Sequence, residues 1–185
     1  MRAFAMLVLG VILGATGVVL GVYFYFAAGQ APVATAASPM PFERKLAHQA
    51  LDAVINREMP KTVPLQPDEA NLAAGAQLYR EHCAVCHGLP EQKPTAIAAG
   101  MYPHPPKLLE GKGVTDDEPG ESYWKVANGI RLTGMPGFRA RLSETQMWQV
   151  SLLVANADKL PRSVHDRLAA APLVADETAK PVQAK

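Results

Sequence analysis

Cys83-Ala84-Val85-Cys86-His87 decides how this chain folds. Two thiols three residues apart, with a histidine directly after the second, form the spacing used for covalent attachment of a c-type haem. On one helical turn the two sulfurs face the two vinyl groups of a single porphyrin. The same turn carries His87 under the ring, where its imidazole can ligate iron. The chain has only two cysteines, so one haem consumes both and leaves neither a disulfide nor a spare thiol.

The competing readings of a Cys-x-x-Cys pair need surroundings that this sequence lacks. A thioredoxin-like redox pair sits in a βαβ context, and nothing before Cys83 alternates like a buried strand. A zinc site would draw its remaining ligands from His82, His87 and His104, without a second cysteine pair or a His-x₃₋₅-His spacing.

The second ligand to the iron separates catalyst from carrier. Iron held by His87 alone could bind oxygen or peroxide, whereas six-coordinate iron is limited largely to electron transfer. Among seven methionines, Met1 and Met6 fall in an apolar N-terminal segment, and Met40 and Met59 precede the haem motif. Met147 falls in the first turn of a helix. Met135 lies in Leu132-Thr133-Gly134-Met135-Pro136-Gly137-Phe138, a loop without helical period. There Gly134 permits close approach and Pro136 fixes the backbone. Met135 is the expected sixth ligand; Met101 and His104, both in the proline-rich stretch after the motif, are the alternatives.

Around these residues the chain reads as helices separated by proline-rich loops. Phe42 to Met59 has a helical pattern, with Leu46, Ala50, Ala53 and Val54 on one side. Asp68 to about His82 leads into the motif, with Leu72, Gly75, Leu78 and Tyr79 on its apolar side. Residues 88–117 are loop-rich. A short helix over 118–128 ends at Asn128-Gly129, a natural αL C-cap. Ser143 and Gln146 form a capping box, with Leu142 placed to staple a helix that runs to about Lys159. Residues 161–185, rich in Ala and Pro, are expected to be disordered beyond a brief turn from Ser163. No strand pattern is found, so the fold class is all-α, with short helices wrapped around a prosthetic group.

The block from about Asp68 to Leu160 resembles a class I c-type cytochrome of the monohaem bacterial kind. Three motifs in order carry the resemblance: Cys83-x-x-Cys86-His87, Pro106-Lys107-Leu108 and Gly134-Met135-Pro136. It implies that the helix with Gly75 and Tyr79 crosses the C-terminal helix near Trp148 and Leu152. It also implies that Pro106 offers its carbonyl to His87 Nδ1–H, a bond that fixes the imidazole tautomer and raises its basicity. Leu108 would pack on the haem face. The insert between His87 and Pro106 is long for this family, which leaves Pro105 as the alternative source of the carbonyl.

Residues 3–28 carry no charge, and none follows until Glu43. At ~1.5 Å per residue such a helix spans about 39 Å, enough to cross a hydrocarbon layer of ~30 Å. Tyr23 to Phe26 gather at its far end as an interfacial aromatic belt would. A signal peptide cut near Ala34-Thr35-Ala36 is the alternative, but the apolar run exceeds the usual ~7–15 residue core. The expected organisation is therefore a transmembrane anchor over 1–28 and a linker over 29–67 with a helix at 42–59. A haem domain over 68–160 and a tail over 161–185 complete it. Covalent haem attachment on the outer side of a bacterial inner membrane puts the domain in the periplasm.

Charge is balanced at 18 basic and 17 acidic residues, so nucleic acid is not an expected partner. The expected function is that of a membrane-tethered carrier of single electrons between redox proteins, not an enzyme. An obligate subunit of a larger membrane redox complex is the alternative. Gly10, Gly14, Gly17 and Gly21 favour it, because they fall on one helix face and would let a second membrane helix come close. Lys125, Arg131, Arg139 and Arg141 occur without an acid between Glu121 and Glu144, a basic run suited to steering an acidic partner.

Overall fold

The computed structural model describes residues 1–170, which divide into two compact units, 1–47 and from His48 onward. All regular structure among the described residues is helical. In the first unit, α1 (Arg2–Ala27) is exposed along its whole length and is long and apolar enough to cross a membrane.

The second helix, α2 (Glu43–Glu58), begins in the first unit and ends in the second. Its buried face differs from the expected one. Leu46, Ala50 and Ala53 are exposed, whereas Ile55 and, just past the helix, Met59 are buried. The face is set by what the last turns meet. Trp124 Nε1 donates to Glu58 Oε2 at 3.2 Å, and Lys61 reaches Glu118 at 3.9 Å. The end of α2 is thus a brace against a later helix.

The core is built on α3 (Glu69–His82) and α7 (Glu144–Ala155). Asp68 caps α3 by accepting from Asn71 N at 2.8 Å. Ser143 and Gln146 close the capping box on α7, with Ser143 N donating to Gln146 Oε1 at 2.9 Å and Gln146 N to Ser143 Oγ at 3.3 Å. The two helices cross at Gly75, where an added Cβ would lie 2.3 Å from the Gln149 carbonyl oxygen and 3.1 Å from Leu153 Cβ. The crossing therefore falls at Gln149 and Leu153, one residue beyond the expected Trp148 and Leu152. Trp148 turns instead to a second cluster, where it stacks on Tyr123 of α6 (Pro119–Asn128) at 4.2 Å between centroids. Two one-turn helices, α4 (Ala84–His87) and α5 (Ala96–Ala99), stand between α3 and α6.

The expectation of disorder from residue 161 is corrected for residues 162–169. After a 3₁₀ turn at Ala157–Lys159, α8 (Arg162–Ala169) packs on α3, and its Val164 and Leu168 are completely buried. Eight residues with one i, i+4 apolar pair are too short to form a helix alone. Tertiary bonds hold it: Ser163 donates to the Glu69 carboxylate near its start, and Arg80 Nη1 donates to the Arg167 and Leu168 carbonyls at its end. The remaining tail, 171–185, lies outside the described residues. Leu168→Ala is expected to cost about 2–5 kcal/mol, the usual range for a buried leucine. Urea unfolding followed by tryptophan fluorescence measures the loss; a stability equal to wild type would remove α8 from the core.

Candidate haem-binding site

Cys83 both ends α3 and opens α4, so the attachment motif is one continuous turn. Cys86 N and His87 N both donate to the Cys83 carbonyl, at 3.1 and 2.9 Å. Two further bonds anchor the turn from outside. Tyr79, buried on α3, donates its hydroxyl to the Gly88 carbonyl at 3.0 Å. Thr95 donates to the Val85 carbonyl at 2.6 Å and also caps α5. Both thiols are free of any disulfide. Burial, with the neighbouring Cys86 adding to it, pushes the Cys83 thiol up to about 12.

His87 Nδ1 lies 2.8 Å from the Pro106 carbonyl oxygen. A carbonyl only accepts, so Nδ1 carries the proton and Nε2 keeps a free lone pair. Burial holds the imidazole below its ordinary basicity, opposed by the Pro106 bond. A neutral imidazole with Nε2 unprotonated is the form that ligates iron. The bond is made by Pro106, not by its neighbour Pro105. Leu108, two residues on, is half-buried and packs on the cluster that includes Leu72 and Tyr79.

Met135 is half-buried in a loop pinned by its own backbone. Ile130 N donates to the Met135 carbonyl at 3.1 Å, and Met135 N donates to Thr133 Oγ1 at 3.1 Å. Phe138 N donates to the Val126 carbonyl at 2.9 Å, which ties the far end of the loop to α6. Leu132 at the tip has φ 61° and is 93% exposed. At Gly134 the structure shows a neighbour that the sequence did not disclose: an added Cβ would lie 1.9 Å from Met101 Cε, the terminal methyl of a side chain that can turn aside. The close approach there is that of another methionine side chain.

Met101 and Pro106 thus tie the two halves of the site together. Met101 touches the Met135 loop, and five residues later Pro106 holds His87. A six-residue strap cannot reach further than about 20 Å, so the two expected ligands belong to one locality. The donor set fits a haem: two free thiols on one turn, an imidazole with its Nε2 lone pair available, and a thioether on a braced loop. His104 is exposed and lines a cavity of about 290 Å³ together with Cys86 and His87. Among the basic residues, Arg131, Arg139 and Arg141 are exposed, and Arg139 donates to Asn128 Oδ1 at 3.3 Å. Lys125 leaves the expected basic patch, since it is paired with Glu121 and Asp117.

The helical fold and this donor set define a c-type cytochrome domain, which implies covalently bound haem c and an electron-transfer function. Residues 70–152 match the family model for cytochrome C oxidase, cbb3-type, subunit III. Among solved structures, the chain is similar to a chain of the Kuenenia stuttgartiensis reducing HAO-like protein complex Kustc0457/Kustc0458. The two are 22% identical with a TM-score of 0.46, over 66% of this chain and 52% of that one, so this chain spans about half its length. No curated protein matches.

Proposed function

We propose that this protein is a membrane-tethered, monohaem electron carrier. One haem is bound through thioethers at Cys83 and Cys86 and ligated by His87 and Met135. When bound, the haem supplies a one-electron redox couple; the chain supplies the ligands and the shell that tunes them. The observation that carries this reading is the 2.8 Å bond from His87 Nδ1 to the Pro106 carbonyl, which frees Nε2 and orients the ring. Leu108 packs on the haem face in this reading. With His87 and Met135 both holding the iron, its coordination would be saturated, and little rearrangement would oppose electron transfer. Exposed Arg131, Arg139 and Arg141 border the Met135 loop and steer an acidic partner toward it, an effect that salt screens.

The test is optical. The purified protein is expected to contain one haem c per chain by pyridine haemochrome, and its oxidised form to show a sulfur-to-iron charge-transfer band. Absence of covalent haem overturns the whole reading, and absence of the band alone overturns the methionine ligand.

Two supports favour a second reading, in which the chain is an obligate subunit of a membrane redox complex. The family that matches residues 70–152 is described as an oxidase subunit. Gly10, Gly14, Gly17 and Gly21 fall on one face of α1, a stripe of small residues on which a second membrane helix could pack. Mass spectrometry of the membrane-purified protein addresses both anchor and assembly. A tethered carrier is expected to retain residues 1–28 and the periplasmic domain as one chain, free of partners in mild detergent. A chain starting near Ala37 or Ser38 overturns the anchor, and a stable heteromeric particle favours the subunit.

A further inference from the structure

The Tyr102 hydroxyl is buried and has no hydrogen-bond partner, the one such side-chain group among the described residues. Native proteins satisfy nearly all buried polar groups, and a buried hydroxyl left unpaired calls for a partner from outside the chain, either water or a bound group. The position of Tyr102 narrows what that partner is. It lies on the strap between Met101, whose Cε fills the space beside Gly134, and Pro106, whose carbonyl holds His87. Gly134 precedes the proposed ligand on one face of the iron, and His87 is the proposed ligand on the other. A strap fastened to both faces must pass around the rim of the ring.

The chemistry of that rim leaves one class of acceptor. The ring nitrogens are bound to iron, and the methyl and methine positions are hydrocarbon. The thioether sulfurs are weak acceptors. The carboxylates of the two haem propionates are the only strong acceptors, and a phenol donating to an ionised carboxylate makes a charge-assisted bond. We infer that Tyr102 is a haem-binding residue, its hydroxyl donating to a haem propionate and so fastening the Met101–Pro106 strap to the ring. This rests on the haem reading above, and it concerns a residue that the motifs do not mark.

The inference is tested on the intact haem-loaded protein with Tyr102→Phe, which removes a single oxygen, and with Met101→Leu, which alters the same strap without touching a donor. Covalent haem by pyridine haemochrome is scored first; its absence in wild type would reject the haem reading itself. In Tyr102→Phe, the propionate methylene resonances are expected to move. The inflection of midpoint potential against pH is expected to rise by about one pH unit, because a carboxylate that loses a donor becomes a weaker acid. Met101→Leu is expected to leave that inflection in place. In reduced wild type, the Tyr102 hydroxyl proton is expected to exchange slowly and to show a nuclear Overhauser contact with a propionate methylene. Unchanged propionate resonances and pH profile in Tyr102→Phe overturn the inference. So does a wild-type Tyr102 ring with no contact to either propionate, whether or not the variant folds.

Discussion

Gly75→Val is expected to produce the largest loss of stability of any single change on the haem-motif helix. Even a β-carbon at this position would lie 2.3 Å from the Gln149 carbonyl oxygen and 2.8 Å from its carbon. Ordinary contact begins near 3.4 Å, so α3 and α7 would have to separate by about 1 Å. The obstacle is backbone and cannot rotate away. Leu72, Ala76, Tyr79, Leu153 and Val154 pack in the same cluster and lose contact together when the helices part. Overpacking of a close core costs ~1–3 kcal/mol, and valine adds bulk beyond that first carbon. Alanine at the same site recovers about 1 kcal/mol of helix propensity, so Gly75→Ala should be the milder variant. A net loss of ~3 kcal/mol or more for valine is a large share of the ~5–15 kcal/mol that holds a domain folded. Urea unfolding of the detergent-solubilised protein, followed by fluorescence of Trp124 and Trp148, measures it. Wild-type stability in Gly75→Val would mean that the two helices do not touch there.

Met135→Ala is expected to leave haem covalently attached while opening its distal face. In the proposed reading Cys83 and Cys86 hold the thioethers and His87 keeps its Pro106 bond, so neither attachment nor the proximal ligand depends on Met135. The sulfur-to-iron band should vanish, carbon monoxide and imidazole should bind readily, and the potential should fall. A drop on the order of 0.1 V or more sits within the ~0.8 V range over which axial ligands set haem potentials. Met101→Ala is the decisive comparison, because Met101 reaches the same loop. That variant should keep the sulfur band. A band that survives Met135→Ala and disappears in Met101→Ala would assign the ligand to Met101.

The parts of the site that could be read from sequence are those whose geometry is local. The attachment turn needs only the spacing from Cys83 to His87. The capping box at Ser143 and Gln146 and the glycine that ends α6 lie within four residues of the helices they bound, although Gly129 takes φ 69° and ψ −176° and not the expected αL conformation. The all-α class followed from helical periodicity with no alternating run. Where partners lie far apart in sequence, local pattern was insufficient. The buried face of α2 is not legible locally, because periodicity shows where apolar residues are and not that Glu58 at the helix end meets Trp124. Helix α8 is not legible in its own eight residues because its stability comes from Arg80 and Glu69, some ninety residues away.

By itself, then, the sequence disclosed the haem-attachment motif, the helical class, an apolar segment of spanning length and a methionine in a loop between Gly134 and Pro136. Tertiary structure alone decided which proline carbonyl meets His87, what occupies the space beside Gly134, and that the Tyr102 hydroxyl is buried without a partner. Residue type and short spacing set what a side chain can do. Which groups it meets depends on how the chain path closes loops of 19 and 33 residues, from His87 to Pro106 and from Met101 to Gly134. That closure is a property of the packed core as a whole, and no local stretch encodes it.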